Sequence, residues 1–415
     1  MIEGRVQGDS VRQRSTRTAG AAIRRMISGL AIAALLATFV VAGSASAGDG
    51  ESWYERISFK GDFRARDEVF IREGDKDRHR LRYRLRGGAS TEVNDHIEVG
   101  FRLATGPDAN SGNQSLGSGV NDDESIDFDP DGVFIDKAYL TLKPHGTEKP
   151  MFGDSKSITF GKMSNPFKTK GIGPSQLIWD GDQNPEGVAL QWGWSPCDCW
   201  DTNLDVAYFV IDENNLDPSR DPAMFAVQFD NSVKVNDEIS FKSHLTYNAL
   251  RKLTGDVIGR GEGAGNTEGL TSNNHIDLIE FHGGTTWAAH EDWPVTFWGN
   301  VVFNLSADGA GAGKQNTAFG AGLTVGSKKA LAEVGAGYFQ VEADAVPGFL
   351  LDSDLFDGVT NGEGWRIHAT RTIFKNTDFN VIAYIGDELD GDVADNLGSA
   401  AADRVRIQTN VQVKF

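Results

Sequence analysis

The sequence predicts an all-β fold, a transmembrane antiparallel up-and-down β-barrel of about 16 strands preceded by a cleaved signal peptide. Three observations predict it. Segments of alternating apolar and polar residues recur along the chain, so each strand has one apolar and one polar face. The connections between these segments alternate between short and long. The chain ends Val405-Arg406-Ile407-Gln408-Thr409-Asn410-Val411-Gln412-Val413-Lys414-Phe415, with apolar residues at 405, 407, 411, 413 and 415.

The first 47 residues read as an export signal. Arg24 and Arg25 supply the positive region, Leu30 to Gly43 is an apolar run of 14 residues, and Ala45-Ser46-Ala47 fits a small-residue cleavage site. Cleavage there divides the chain into a signal peptide, 1–47, and a barrel, 48–415. The apolar run is short for a membrane-spanning helix, which takes about 20 residues, and no later stretch approaches that length. Ile23 and Met26 match a twin-arginine signal poorly, so export unfolded by general secretion is expected.

The 415 residues include 40 Lys and Arg against 59 Asp and Glu, a formal net charge of −19. Six basic and two acidic residues belong to the signal, leaving 34 and 57 in the barrel, or −23. Such a balance argues against a nucleic-acid partner. The mean hydropathy of −0.34 is compatible with a membrane barrel, because only alternate residues face lipid. No cofactor is expected. The two cysteines, Cys197 and Cys199, fall in Ser195-Pro196-Cys197-Asp198-Cys199-Trp200 and read as an inert or locally oxidised pair in a turn. A bridge between residues two apart would be strained.

The strands follow in order. Ile57, Phe59, Phe63 and Ala65 alternate with Arg56, Ser58, Lys60, Asp62, Arg64 and Arg66. Leu81, Tyr83 and Leu85 alternate with Arg80, Arg82, Arg84 and Arg86; after the turn Val93-Asn94-Asp95, Ile97, Val99, Phe101 and Leu103 alternate with Glu98, Gly100, Arg102 and Ala104. The same pattern places strands near 134–143, 156–163, 186–194, 203–211, 223–233, 238–247, 276–289, 295–305, 316–327, 331–342, 363–373, 378–386 and 402–415, sixteen in all. Seven connections are short (92–95, 144–150, 195–200, 234–237, 290–294, 328–330, 374–377) and eight are mostly long (67–78, 105–133, 164–185, 212–222, 248–275, 306–315, 343–362, 387–401). Sixteen antiparallel strands with both termini on one side require this arithmetic. Trp192, Trp194, Trp200, Trp287, Trp293 and Trp298 lie at or near strand ends beside short turns and read as a girdle at one membrane boundary.

The polar faces carry the chemistry. Arg56, Lys60, Arg64, Arg66, Arg80, Arg82, Arg84, Arg86 and Arg102 share the inner face of the first three strands, and closure adds Arg404, Arg406 and Lys414 from the last. Cations on the lipid face would cost about 2–4 kcal/mol at mid-depth, so these twelve form a basic wall lining the interior. Adjacent arginines repel and need water or counter-charge. Residues 105–133 offer Asp108, Asp122, Asp123, Glu124, Asp127, Asp129 and Asp131; residues 343–362 hold four acids and 387–401 five, with no base in any of the three. Folded inward, such loops would set a transverse field at a constriction. The alternative is local pairing of the basic residues with Asp62, Glu92 or Glu98. Ser164 to Gly187 is a further inward loop. Trp179, Asp180 and Asp182 on it form either a stacking surface with acceptors or part of a packed lid. Asp127-Phe128-Asp129-Pro130-Asp131-Gly132 spaces its acids as a calcium loop does, with Asp127, Asp129 and Asp131 as weak ligand candidates. Ala138 stands where a bidentate Glu would be needed.

Several blocks resemble the putative porin family of proteobacterial outer-membrane proteins. They are Arg80-Leu81-Arg82-Tyr83-Arg84-Leu85-Arg86, Val99-Gly100-Phe101-Arg102-Leu103-Ala104-Thr105-Gly106, Lys137-Ala138-Tyr139-Leu140, Phe160-Gly161-Lys162-Met163-Ser164-Asn165-Pro166-Phe167 and Trp179-Asp180-Gly181-Asp182-Gln183-Asn184-Pro185-Glu186-Gly187. The closing segment also resembles the last strand of a bacterial outer-membrane barrel, in which Val411, Val413 and the terminal Phe415 would be the assembly signal. The resemblance implies an outer-membrane porin of a Gram-negative bacterium, a water-filled channel for passive diffusion of small hydrophilic solutes and ions. Its partners would be lipid and lipopolysaccharide, the barrel assembly machinery, and two further copies in a homotrimer.

An anion- or substrate-selective channel using the arginine-lined interior is the first alternative, and a structural or adhesive outer-membrane protein the second. No enzyme is expected: no Gly-x-Ser-x-Gly occurs, and the adjacent Ser243 and His244 point to opposite faces of one strand.

Overall fold

Seventeen strands pair antiparallel in one sheet in the computed structural model of the chain. They are β1 (Ser58–Arg72), β2 (Arg78–Asn94), β3 (Ile97–Thr105), β4 (Gln114–Ser115), β5 (Val133–Leu142), β6 (Ser155–Lys162), β7 (Glu186–Cys197), β8 (Trp200–Val210), β9 (Ala223–Lys234), β10 (Ile239–Arg251), β11 (His275–Trp287), β12 (Val295–Asn304), β13 (Thr317–Gly326), β14 (Glu333–Val341), β15 (Gly362–Phe374), β16 (Thr377–Glu388) and β17 (Arg404–Lys414). The structure describes residues 53–74, 76–106, 112–117, 132–146, 153–167, 172–174, 177–213, 221–253, 265–267, 270, 274–307, 315–394 and 403–415. The signal peptide expected over 1–47, and the acids at 108 and 122–131 with their calcium candidates, lie outside these residues.

Sixteen of the strands are the expected ones, and they close into a barrel. Each pairs with its sequence neighbours, and β17 returns to β1 with Asp62 opposite Lys414 and Arg72 opposite Arg404. Closure leaves no open strand edge, which a membrane interior would not tolerate. Gly61 and Phe415 exchange backbone hydrogen bonds of 2.8 and 3.0 Å, so the last residue belongs to the ladder. Short turns follow the expected chemistry: the Asn236 side chain accepts from the backbone N–H of Glu238 and Ile239, and that of Asn94 from His96. Cys197 and Cys199 are joined by a disulfide at the β7–β8 turn, with Cα atoms 5.2 Å apart.

Three expectations are corrected. The connection expected over 67–78 is only 73–77, because β1 and β2 continue through Glu68 and Arg80. Their charges pair across the strands instead of ending them, while Val69 and Ile71 maintain the apolar alternation. The stretch expected as loop over 105–133 contributes β4, which pairs with Arg82 and Tyr83 of β2. Arg56 is not on the first strand. It ends a 3-10 turn, Trp53–Arg56, and donates to the Val93 carbonyl at 2.9 Å, away from the wall.

The outer face is largely apolar, with charged pairs such as Asp67–His79 and Arg251–Asp277 near strand ends. Phe229, Leu245, Phe281, Phe297, Phe319, Val334 and Trp365 are exposed on the successive strands β9 to β15. A contiguous apolar surface of this extent marks an interaction with a membrane or with another protein. Among the described residues no helix is long and apolar enough to cross a membrane.

The inner face divides in two. On β8–β14 it buries Met224, Ala226, Leu250, Ile276, Leu278, Val302, Phe339 and Val341. Against these pack two segments that fold into the barrel: the β6–β7 connection, with Phe167, Leu177, Ile178 and Trp179, and the β14–β15 connection, with Val346, Leu350, Leu351, Leu355 and Phe356. Trp298 was expected in the girdle. It points inward instead, because Phe297 takes the lipid side of β12 and period two sends its neighbour inside. Its ring lies 5.6 Å from that of Phe339, over Gly322 and Gly337, where an added Cβ would fall 2.5 Å from Trp298. The other five girdle tryptophans remain beside short turns.

Since Trp298 fills a niche that no neighbour can collapse into, Trp298→Ala should destabilise the barrel by about 3–5 kcal/mol. Guanidinium unfolding in detergent micelles checks this; a loss under about 1 kcal/mol would show that the inward loops are not anchored there.

Candidate functional site: an arginine wall facing two inward loops

The wall is assembled by register. Arg64 lies opposite Arg84, and Arg66 opposite Arg82, across β1–β2; Phe70 lies opposite Arg406 across β1–β17. Like charges this close in a low-dielectric wall repel strongly, and counter-charges are built in. Glu68, fully buried on β1, takes Arg80 at 2.5 Å, Arg406 at 2.6 Å, Arg82 at 3.5 Å and Arg66 at 3.6 Å. Asp62 holds Arg86 at 2.8 Å and Arg84 at 3.3 Å. Asp136 on β5 pairs with Arg102. The Phe70 ring lies between Arg80 and Arg406, 4.8 and 4.7 Å from their guanidinium carbons.

The remaining counter-charge comes from the inward loops. In the β14–β15 loop, Asp354 meets Arg406 at 2.7 Å and Arg66 at 3.5 Å, and Asp357 meets Arg72 at 2.7 Å and Arg404 at 3.5 Å. Arg406 also donates to the Ser353 carbonyl at 2.7 Å, and Arg404 to that of Phe356. In the β6–β7 loop, Asp182 pairs with Arg84 at 2.7 Å. Asp180 does not reach the wall. Its carboxylate accepts from the backbone N–H groups of Ser353 and Asp182, joining one loop to the other. Gln183 adds a bond to the Phe349 carbonyl at 2.7 Å.

The expected residues therefore divide. Arg64, Arg66, Arg80, Arg82, Arg84, Arg86, Arg102, Arg404 and Arg406 form one wall, with Lys60 and Lys414 open beside it at the short-turn end. Arg56 is separate. Asp182 faces the wall and Asp180 supports it. Trp179 is 7% exposed and stacks edge-on against Phe209 at 6.1 Å, so it is part of a packed lid and offers no stacking surface. Sequence reasoning did not single out Glu68, Asp136, Asp354 and Asp357 as partners. The run of acids without a base over 343–362 was the signal for the last two. Asp62 pairs locally with Arg84 and Arg86, whereas Glu92 and Glu98 hold Lys143 at the rim, at 2.6 and 3.4 Å, in place of a wall residue; Asp182, Asp354 and Asp357 of the inward loops meet the wall deeper in.

Two chambers lie between wall and loops. A chamber of about 590 Å³ opens at the short-turn end beside Lys60, Lys414 and Phe415. A second, of about 930 Å³, opens at the long-loop end beside Asp212 and Glu213. Both are lined by Arg84, Arg86, Asp180, Asp182 and Ser353, so these residues mark the constriction. Ten wall arginines, counting Arg72, meet six paired carboxylates, Asp62, Glu68, Asp136, Asp182, Asp354 and Asp357. Among the described residues the wall is net positive, while at the constriction Arg84 and Arg86 meet Asp180 and Asp182 in equal number.

The loop carboxylates titrate apart. Burial raises Asp182, but Arg84, Arg64 and Arg86 outweigh it and hold the carboxyl below its usual range. Burial likewise opposes ionisation of Asp354, and Arg406 and Arg66 overcome it. Asp180, buried and beside the Asp182 charge, is raised. Lowered groups stabilise the native state above their unfolded pKa and lose that contribution as pH falls through the folded one; a raised carboxyl is relieved as pH falls. Acidification should therefore neutralise Asp180 first and increase the chloride-to-potassium permeability ratio, with the latch to the wall still ionised. Asp180→Asn should abolish that acid shift, which reversal potentials against pH would show; a persistent shift would implicate another group. Replacing both Asp354 and Asp357 by Asn leaves Arg66, Arg404 and Arg406 without their loop partners. It should cost about 3–5 kcal/mol and enlarge the single-channel conductance; unchanged conductance and stability would mean that apolar packing alone holds the loop.

The sequence pattern of the family described as Putative porin matches residues 69–260. No curated protein sequence matches the chain. The high-pH structure of OprB from Pseudomonas putida superposes with a TM-score of 0.54 at 12% identity, covering 87% of this chain and 95% of that one. The outer-membrane channel DcaP of Acinetobacter baumannii gives 0.48 at 14% identity, covering 90% and 100%, and a mutant porin of Rhodopseudomonas blastica 0.47 at 13%, covering 86% and 100%. At these identities the likeness to OprB is one of fold. Residues 69–260 match the sequence pattern of the putative porin family, and they lie within a closed sixteen-strand barrel whose fold is that of an outer-membrane porin.

Proposed function

We propose that the chain is a passive diffusion porin for small hydrophilic solutes and ions, exported by a cleaved signal over 1–47 and inserted in the outer membrane of a Gram-negative bacterium. The two chambers between the arginine wall and the inward loops, which share Arg84, Arg86, Asp180, Asp182 and Ser353, are the observation that supports this reading. Charged and hydrogen-bonding side chains line this shared constriction, so polar solutes would exchange water for fixed partners as they cross. Lipopolysaccharide at the outer rim, the barrel assembly machinery acting on Val411, Val413 and Phe415, and a homotrimer are the partners this reading carries. It assigns no catalysis. His244 faces the barrel interior and is buried, and period two puts Ser243 on the other face of β10, so the two do not form a nucleophile and base.

Anion preference is the second reading, favoured by the positive excess of the arginine wall and of the chamber at the short-turn end. Residues 48–415, refolded in a planar bilayer under a potassium chloride gradient, should conduct steadily with a reversal potential of the sign set by chloride. Steady conductance with a cation-selective potential would retain the pore and reject the anion preference. A folded barrel that does not conduct would reject both.

A further inference from the structure

The two chambers differ in chemistry, and one wall residue stands apart. The inner chamber is lined mainly by charge. Among the described residues, every other arginine of the wall has a carboxylate within ion-pair distance. Arg64 has none: its Nη2 meets the Asn113 side-chain oxygen, and its Nε has no hydrogen-bond partner. Lys60 and Lys414, which line the same chamber, also have no ion pair among the described residues. Lys414 lies opposite Asp62, and Arg64 opposite Gln412, so the three cations share a small area of β1 and β17. With the other wall arginines they give the inner chamber eight cations against five side-chain carboxylates, Asp62, Asp180, Asp182, Asp352 and Asp354, a positive excess among the described lining residues.

The outer chamber presents apolar surface among charged side chains, the carboxylates of Asp136, Glu186, Asp212, Glu213 and Asp357 and the bases Arg84, Arg86 and Lys162. Phe134 is 37% exposed, and Phe349 and Ile211 are half-buried; all three line the chamber, with Leu350 beneath them. A sugar or a phosphate gains nothing from these side chains, while a wholly apolar solute gains nothing from the inner cluster. A solute with an apolar body and one anionic head fits both in sequence. Its body rests on Phe134 and Phe349 while the head passes Arg84 and Arg86 toward Arg64. Arginine presents a planar fork matched to a carboxylate.

We propose that the passage is a binding path for small organic carboxylates with an apolar body, such as an aromatic monocarboxylate. This rests on the channel reading above. Binding of such an anion slows its passage and interrupts the chloride current.

Benzoate, acetate, inorganic phosphate and glucose are added in turn to the full barrel in a planar bilayer, and the half-blocking concentration is read from the chloride current. Benzoate should block at a concentration at least about tenfold below acetate and phosphate, and glucose should not compete. Arg64→Gln should raise the benzoate value about tenfold, as should Lys60→Gln to a smaller degree, the latter at an exposed site where folding is not at risk. Phe349→Ala, and independently Phe134→Ala, should raise the benzoate value while leaving acetate unchanged. Equal block by benzoate and acetate would overturn the proposal while leaving the channel intact, as would phosphate matching benzoate. A folded barrel with no chloride current would overturn the channel reading and the proposal together.

Discussion

Glu68 is the interaction on which the arginine wall depends. Strands β1, β2 and β17 bring Arg66, Arg80, Arg82 and Arg406 to one depth of the barrel, where nothing but a buried anion lets them stay charged side by side. A lone carboxylate at such depth would be costly, and so would four guanidinium groups; together each supplies the other's hydrogen bonds. Gln408, at 3.0 Å, fills a further position on Glu68. With this centre fixed, β1 and β2 remain regular through residues that would otherwise terminate them, and the wall projects its unmatched charge toward the passage.

The loops are placed by two independent forces. Apolar side chains, Leu177, Ile178, Val346, Leu350, Leu351 and Leu355, are removed from water against the inner faces of β8–β14. Asn266 and Asn304 fix the backbone, binding carbonyls of Ala343, Val346 and Asp344 at 2.7–2.8 Å. Acids at the loop tips then meet the wall. Packing fills one side of the barrel and electrostatics defines the other, so the passage runs off-centre along the arginines. This differs from a barrel with a uniformly wet interior, and it explains why much of the inner face of β9–β14 is apolar.

Comparison with the sequence is most instructive where the reading failed. Period two located all sixteen long strands, and it assigned Arg64–Arg86 to the inner face correctly, because a cation facing lipid is too costly to leave the choice open. Proximity to a turn misled at Trp298, suggesting the lipid boundary although Phe297 already occupied that face and the period places its neighbour inside. Over 67–78, charged residues looked like a loop since the pattern reads each strand alone and cannot see Glu68 pairing with Arg80 on the next. Asp354 and Asp357 were countable as acids in a base-free loop, yet their partners lie on β1 and β17, far away in sequence.

The sequence by itself determined the closed barrel, its strand number, the side of the sheet that faces lipid and the identity of the basic strands. These follow from local alternation and from the cost of placing charge in hydrocarbon, both of which act residue by residue. Only the tertiary structure decided which carboxylates neutralise which arginines, that two loops pack against the inner face, and that Arg64 meets Asn113 and lies beyond ion-pair distance of any described carboxylate. Those outcomes depend on strand register and on loops folding back across the lumen, and contacts between residues hundreds of positions apart leave no periodic trace in the chain.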